Sequence, residues 1–146
     1  MAVYGYTRVS TAVQAEEGTS LGEQEKRITG FAQAQGYAID AMFTDRGVSG
    51  SKALADRPQG KALLDSLKPG DVVVAYRMDR MFRSASDALA SLERFRQQGI
   101  SLHLMDIQGG VDLASPTGAL TFGILCSVAQ FERERLNERI REGKAA

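Results

Sequence analysis

The sequence predicts an α/β fold: a mostly parallel central sheet of about four to five strands flanked by helices, with a long projecting C-terminal helix. Three observations carry this expectation. Short apolar runs alternate with amphipathic helical segments through roughly the first hundred residues. The run Val72-Val73-Val74-Ala75-Tyr76 is unbroken, the pattern of a central parallel strand covered on both faces. From Ser115-Pro116 onward a single helical pattern continues almost to the end of the chain. The 146 residues suit an α/β core over 1–115 followed by a helix over 116–146.

The elements follow in order. Residues 2–9 form the first strand, and the polar stretch 11–19, with Glu16-Glu17-Gly18, is a mobile loop. Ser20-Leu21-Gly22-Glu23 has the capping-box pattern and opens a helix through Ile28, Phe31 and Ala32 that stops at Gly36. Residues 37–44 are a second strand, followed by the Gly/Ser-rich loop 45–51, expected to be irregular and mobile. Arg57-Pro58 starts a short helix, with proline in its first turn and Leu63, Leu64 and Leu67 facing inward. Pro69-Gly70-Asp71 is a turn into the Val72 strand. A helix from about Ser84 to Gln98 opens on the box Ser84-x-x-Asp87 and closes at Gly99, and residues 100–105 give a fourth strand. The last helix runs from Pro116 to about Gly143.

Composition narrows the class. Apolar content of 43% and charged content of 25% are ordinary for a soluble globular protein. There is no run of about 18 apolar residues and no basic-then-apolar leader pattern, so the expectation is a cytoplasmic, nucleoid-associated protein with no membrane partner. The single cysteine, Cys126, excludes an internal disulfide and sits in an apolar helical run, where it reads as a small core residue. Net charge is zero, which argues against a surface that binds nucleic acid all over. The cations are uneven in kind, however: 13 are arginine and 5 lysine. The planar fork of arginine is the group suited to two phosphate oxygens.

Chemistry concentrates at the ends of the strands. In Tyr6-Thr7-Arg8-Val9-Ser10-Thr11, alternation puts Tyr4, Tyr6, Arg8 and Ser10 on one face and Val3, Thr7 and Val9 on the other. An arginine in a core-like strand is expensive unless an anion or carboxylate meets it. A serine beside it is placed to attack phosphorus. Ligands of parallel sheets bind beyond the carboxyl ends of the strands, which gathers Ser10, Asp45 with Ser49, and Asp79-Arg80 at one edge. Arg77-Met78-Asp79-Arg80-Met81-Phe82-Arg83-Ser84 sets three arginines before a capped helix, whose N-terminus itself favours anions. The plain alternative is a charged, exposed turn. The lone histidine, His103, falls in the fourth strand and reads as half-buried scaffold. One His and one Cys do not assemble a zinc site, and Gly60-Lys61 lacks the glycine five positions earlier that a Walker-type loop needs. The reaction is therefore expected to need no cofactor, metal or nucleotide.

The final helix is apolar almost all round in its first half, through Leu120, Phe122, Ile124, Leu125, Cys126, Val128, Ala129 and Phe131. One domain surface covers only one stripe of a helix, so Leu120, Ile124, Val128 and Phe131 are expected to meet another subunit. The second half is charged, with Arg135, Arg139 and Arg141, and reads either as a solvated helix laced by i,i+4 pairs or as an arm along DNA.

Taken together, the residues resemble the serine site-specific recombinases, the resolvases and DNA invertases. The matching pieces are Tyr6-x-Arg8-Val9-Ser10-Thr11, Ser20-Leu21-x-x-Gln24, Asp45-x-Gly47-x-Ser49-Gly50, Arg57-Pro58, Gly70-Asp71, Asp79-Arg80-x-x-Arg83-Ser84, Ser115-Pro116-x-Gly118 and Ala129-Gln130-x-Glu132-Arg133. They run in family order and cover nearly the whole chain. The resemblance implies that Ser10 is the nucleophile, forming a 5′-phosphoserine link to DNA and releasing a 3′-hydroxyl. It implies that Arg8, Arg57, Arg80 and Arg83 surround the scissile phosphate, and that Asp79 orients the arginines or handles the leaving-group proton. Tyr6, Gln14, Gln24, Asp45, Glu132 and Arg133 would be supporting active-site or interface residues. The acceptor of the serine proton is open between Asp45 and a DNA oxygen. Family members act on double-stranded DNA at a crossover site, as a homodimer on each site and a tetramer in synapsis. One pair of subunits rotates before religation, without ATP or metal. The last helix would supply the dimer interface and its charged end would lie over the minor groove. Because members normally continue into a DNA-binding domain, this chain is expected to be a catalytic fragment that binds DNA only weakly and salt-sensitively. Two other classes fit the residues less well: a silent DNA-organising relative, which would lack the serine or the arginines, and a small phosphatase, which would carry a His, Cys or metal partner for the nucleophile.

Overall fold

A computed structural model of the chain describes residues 1–9, 21–105 and 116–141. Its centre is a parallel sheet of four strands among these residues, in the spatial order β2-β1-β3-β4, where β1 is Val3–Val9, β2 Ala41–Arg46, β3 Val72–Ala75 and β4 Ser101–Leu104. The helices are α1 (Leu21–Ala34), α2 (Pro58–Ser66), α3 (Ala85–Gln98) and α4 (Pro116–Arg141), with a 3-10 turn at Leu54–Asp56 and a single helical turn at Met78–Met81.

Alternation along the strands divides the interior into two layers. On one face Tyr6, Val73, Ala75, Leu102 and Leu104 pack with Leu54, Leu63, Met81, Phe82, Leu92, Phe95 and Phe122. On the other, Val3, Val72 and Val74 meet Ile28 and Ala32 of α1. β3 is buried at all four positions, as expected of a strand with a layer on each side. His103 is more deeply buried than the half-buried position expected for it, and lies edge-on to Tyr37.

Local signals set the boundaries. Ser84 Oγ accepts from the Asp87 backbone N–H at 3.1 Å, and Asp87 Oδ2 accepts from the Arg83 N–H at 3.2 Å, so the predicted box does cap α3. The helix closes on Gly99, whose φ of 75° is the left-handed turn that favours glycine. α1 ends through Gly36 (φ 87°) and the bond from Tyr37 N–H to Ala32 O at 2.8 Å, while Ser20, its expected cap, lies outside the described residues.

The second strand is shifted from its predicted span. It starts at Ala41 rather than Tyr37 because Tyr37 still closes the preceding helix, and Asp40 turns its carboxylate to accept from the Val3 N–H at 2.8 Å. It also runs to Arg46, past the predicted end at Thr44, because Asp45 and Arg46 pair with Arg8 and Val9 of β1.

α4 is a single helix of 26 residues, about 39 Å long at 1.5 Å per residue. It docks through Phe122, which is fully buried and edge-on to Phe82 at 6.4 Å. Leu120, Ile124, Val128 and Phe131 are 66%, 56%, 51% and 63% exposed, so the docked stripe is narrow and a second apolar stripe is bare. The side chains of Leu125, Cys126 and Ala129 lie outside the described set. No helix among the described residues is long and apolar enough to cross a membrane.

Candidate active site

The carboxyl edge of the sheet carries a buried arginine cluster. Arg8 on β1 stands beside Asp45 on β2 in the parallel register. Tyr6 precedes Arg8 by two residues on the same face, and its hydroxyl donates to Asp45 Oδ2 at 2.8 Å, a diagonal cross-strand contact. Arg57, at the start of α2, is wholly buried. Its Nη1 donates to Tyr6 Oη at 3.0 Å and to the Arg80 carbonyl at 2.7 Å, and its Nε to the Lys52 carbonyl at 3.0 Å. Arg8 Nε donates to that same Arg80 carbonyl at 3.3 Å, and Arg8 Nη1 to the Val48 carbonyl at 2.8 Å. One backbone oxygen, on the turn after β3, therefore holds two guanidiniums together. The Arg80 side chain is itself buried.

The electrostatics favour an anion. Burial, and then the charge of Arg8, pull the Arg80 guanidinium below its ordinary pKa, the direction expected of cations crowded away from water. Burial pushes the Tyr6 phenol well above its ordinary value, an effect that the bond from Arg57 only partly offsets, so Tyr6 serves as a neutral donor and acceptor. The buried carboxylate here is Asp45, and its oxygens are committed. Oδ1 accepts from the Gln59 N–H at 2.9 Å, and Oδ2 from the Gly60 N–H at 3.0 Å as well as from Tyr6. Arg57 Nη2 is buried with no hydrogen-bond partner among the described residues. Three buried guanidiniums and one buried carboxylate, which accepts three hydrogen bonds, thus meet here among the described side chains.

Other predicted residues fall elsewhere. Gln24 is buried across the sheet, where its side-chain oxygen accepts from the Thr7 hydroxyl and pins α1 to the face of β1 opposite Arg8. Arg83 is exposed just ahead of α3. Arg135, Arg139 and Arg141 are exposed on the second half of α4. Ser10 and Gln14 lie outside the described residues, as do the side chains of Asp79, Glu132 and Arg133. Among the described residues no three His, Cys, Asp or Glu side chains gather as metal ligands.

Sequence reasoning missed the backbone. The carbonyls of Val48, Lys52 and Arg80 orient the arginines, and the N-terminus of α2 holds Asp45. One signal was available: α2 begins after Arg57, which gives no side-chain cap, so a distant acceptor was needed for the free N–H groups. The 45–51 loop, expected to be irregular and mobile, is bonded to Arg8 through the Val48 carbonyl, and Lys52, just after it, is bonded to Arg57.

The Resolvase, N terminal domain family model matches residues 3–146. The chain belongs to the resolvase family. As a serine recombinase domain it is 36% identical over 144 residues to the Transposon Tn2501 resolvase of Escherichia coli, covering 98% of this chain and 69% of that protein. It is 33% identical over 142 residues to Serine recombinase PinR of Escherichia coli (strain K12), covering 97% and 67% respectively. Among solved structures, the N-terminal catalytic domain of TP901-1 integrase superposes with a TM-score of 0.71 at 35% identity, over 92% of this chain and 98% of that one. A resolvase family site-specific recombinase from Streptococcus pneumoniae gives 0.66 at 30% identity, over 98% and 95%. The parallel sheet flanked by helices is thus the serine recombinase catalytic fold, and the chain is a DNA recombinase of that family.

Proposed function

We propose that this domain cuts and rejoins double-stranded DNA at a crossover site through Ser10, the residue that follows β1. The observation that supports this most is the Arg80 carbonyl shared by Arg8 and Arg57, which packs three cations at the end of β1, the strand that Ser10 follows in sequence. Such a cluster of guanidiniums, held by backbone before substrate arrives, suits the charge that develops on a phosphodiester in the transition state. The Ser10 oxygen forms a bond to phosphorus, the bond from phosphorus to the 3′ oxygen breaks, and the serine proton ends on the departing 3′-hydroxyl. The 5′-phosphoserine keeps the energy of the phosphodiester, and religation is the reverse step, with no ATP or metal.

Arg8, Arg57 and Arg80 hold the phosphate, with Arg83 reaching it from the surface. Asp79 orients them or carries the leaving-group proton. Asp45, engaged by three donors, acts as scaffold, which leaves a DNA oxygen as the serine's proton acceptor. Gln14, Glu132 and Arg133 assist at the site or the interface. The 1–115 core performs the chemistry, while the bare stripe of α4 joins two subunits into a homodimer, two of which form the synaptic tetramer in which strands exchange by rotation. Arg135, Arg139 and Arg141 follow the DNA backbone.

The test is covalent capture. The chain is incubated with a library of nicked duplexes of randomised core sequence, and adducts that survive denaturation are recovered and sequenced. Wild type is expected to yield a 5′-linked adduct that disappears in Ser10→Ala. No adduct from wild type, or an undiminished one from the variant, would remove the proposal.

A further inference from the structure

Residues 47–52 hold the arginine cluster through two backbone carbonyls. Val48 offers its carbonyl to Arg8 Nη1, and Lys52 offers its own to Arg57 Nε. Between them the loop is internally ordered. The Ser51 N–H donates to Ser49 Oγ at 3.2 Å, the two serine hydroxyls are 2.8 Å apart, and the Lys52 N–H donates to Ser49 O at 3.3 Å. Gly47 ties the start of the loop to the end of β1 by donating to Val9 O at 2.9 Å.

Gly50 lies flush against a guanidinium. A Cβ built there would fall 2.9 Å from Arg8 Nη2 and 3.2 Å from its Cζ. Gly50 is not among the glycines with positive φ, so the backbone would admit another residue, and the glycine is required for space alone. The atoms it would meet are the far end of a side chain, which can yield. An alanine here is expected to leave the fold intact and to displace Arg8.

We infer that the 47–52 loop is a guanidinium clamp and that Gly50 is a positioning residue, its missing side chain fixing where Arg8 stands against the phosphate. The inference rests on the reading that Arg8 holds the scissile phosphate. With two carbonyls fixing two different arginines and Gly50 closing against one of them, Arg8 is left a single rotamer before DNA binds. Its planar fork then meets the phosphate already aligned, which is the condition for bidentate contact.

The experiment is a double-mutant cycle in the rate of covalent adduct formation, using a duplex recovered by the capture above and wild type, Gly50→Ala, Arg8→Ala and the double variant. Gly50→Ala is expected to slow adduct formation roughly 10- to 100-fold, the scale of a misplacement of about 1 Å. On the Arg8→Ala background the same change is expected to cost almost nothing, because it acts through a guanidinium that is no longer there. The nitrogen-15 resonance of Arg8 Nε is expected to move in Gly50→Ala without DNA, while the thermal midpoint stays close to wild type. An unchanged adduct rate in Gly50→Ala, or an equal loss on both backgrounds, would overturn the positioning role. A fully active Arg8→Ala would instead overturn the reading beneath it.

Discussion

Arg57 has no exposed surface, yet it is one of the largest side chains in the interior. It is tolerated because Tyr6, Lys52 and the Arg80 carbonyl take the donors of its Nε and Nη1, and Asp45 holds Tyr6 in turn; only Nη2 is without a partner among the described residues. The chain of bonds makes separate predictions for its links. Tyr6→Phe removes one hydroxyl, but Asp45 keeps its two N–H donors and Arg57 Nη1 keeps the Arg80 carbonyl, so the cost should be about 1–2 kcal/mol. Asp45→Ala leaves the Gln59 and Gly60 N–H groups and the Tyr6 hydroxyl without their acceptor, and should cost roughly 2–4 kcal/mol. Urea unfolding of the two variants checks the order; equal losses would mean that Asp45 does not act through three donors. The arginines could be read in the sequence because a cation in an apolar strand demands a partner. The partners themselves could not, because they are backbone atoms that only the finished fold brings near. Gln24 illustrates the converse: its place in a motif suggested the active site, while strand alternation puts Thr7, and so its partner, on the far face.

Glycines in the helices separate spacing from packing. Gly30 is exposed on α1 with nothing within 4 Å of a Cβ, so Gly30→Ala should stabilise by about 0.5–1 kcal/mol. Gly60 on α2 is different: a Cβ would stand 2.3 Å from the Leu54 carbonyl oxygen, which is backbone and cannot swing aside. Gly60→Ala should therefore destabilise by roughly 1–3 kcal/mol and loosen the helix end that grips Asp45. Thermal midpoints moving in opposite directions are the expected result. The turn into β3 adds a pH dependence. The Ala2 N–H, then that of Lys68, hold the Asp71 carboxyl below the usual carboxylate range. A depressed folded pKa gives stability that is present above the unfolded value of about 4 and is lost as pH falls through the folded one. Asp71→Asn should flatten that acid limb in unfolding curves taken at successive pH values. Helix positions and caps were legible, since Ser84, Asp87 and Gly99 act on their own neighbours in sequence. The start of β2 was not, because Asp40 is turned by a strand 37 residues away.

The molecule as a whole is asymmetric, with both layers of its core packed and one long helix half bare. Leu120, Ile124, Val128 and Phe131 recur at helical spacing, and a second copy would cover them. Ile124→Asp and Phe131→Asp should each shift sedimentation toward monomer without unfolding the core, because neither side chain is buried in the single chain. Unchanged sedimentation in both would count against this stripe as a subunit contact. The position of β1 between β2 and β3 has a different kind of consequence. A strand bonded on both sides cannot fray from an edge, so its amide protons should be among the slowest in the protein to exchange with deuterium, well behind those of the outer half of α4. Arg8 is then carried by one of the two inner strands, which are expected to open last. In the assembly proposed around cleaved DNA, this part of each subunit would still be closed when the rest is at its loosest.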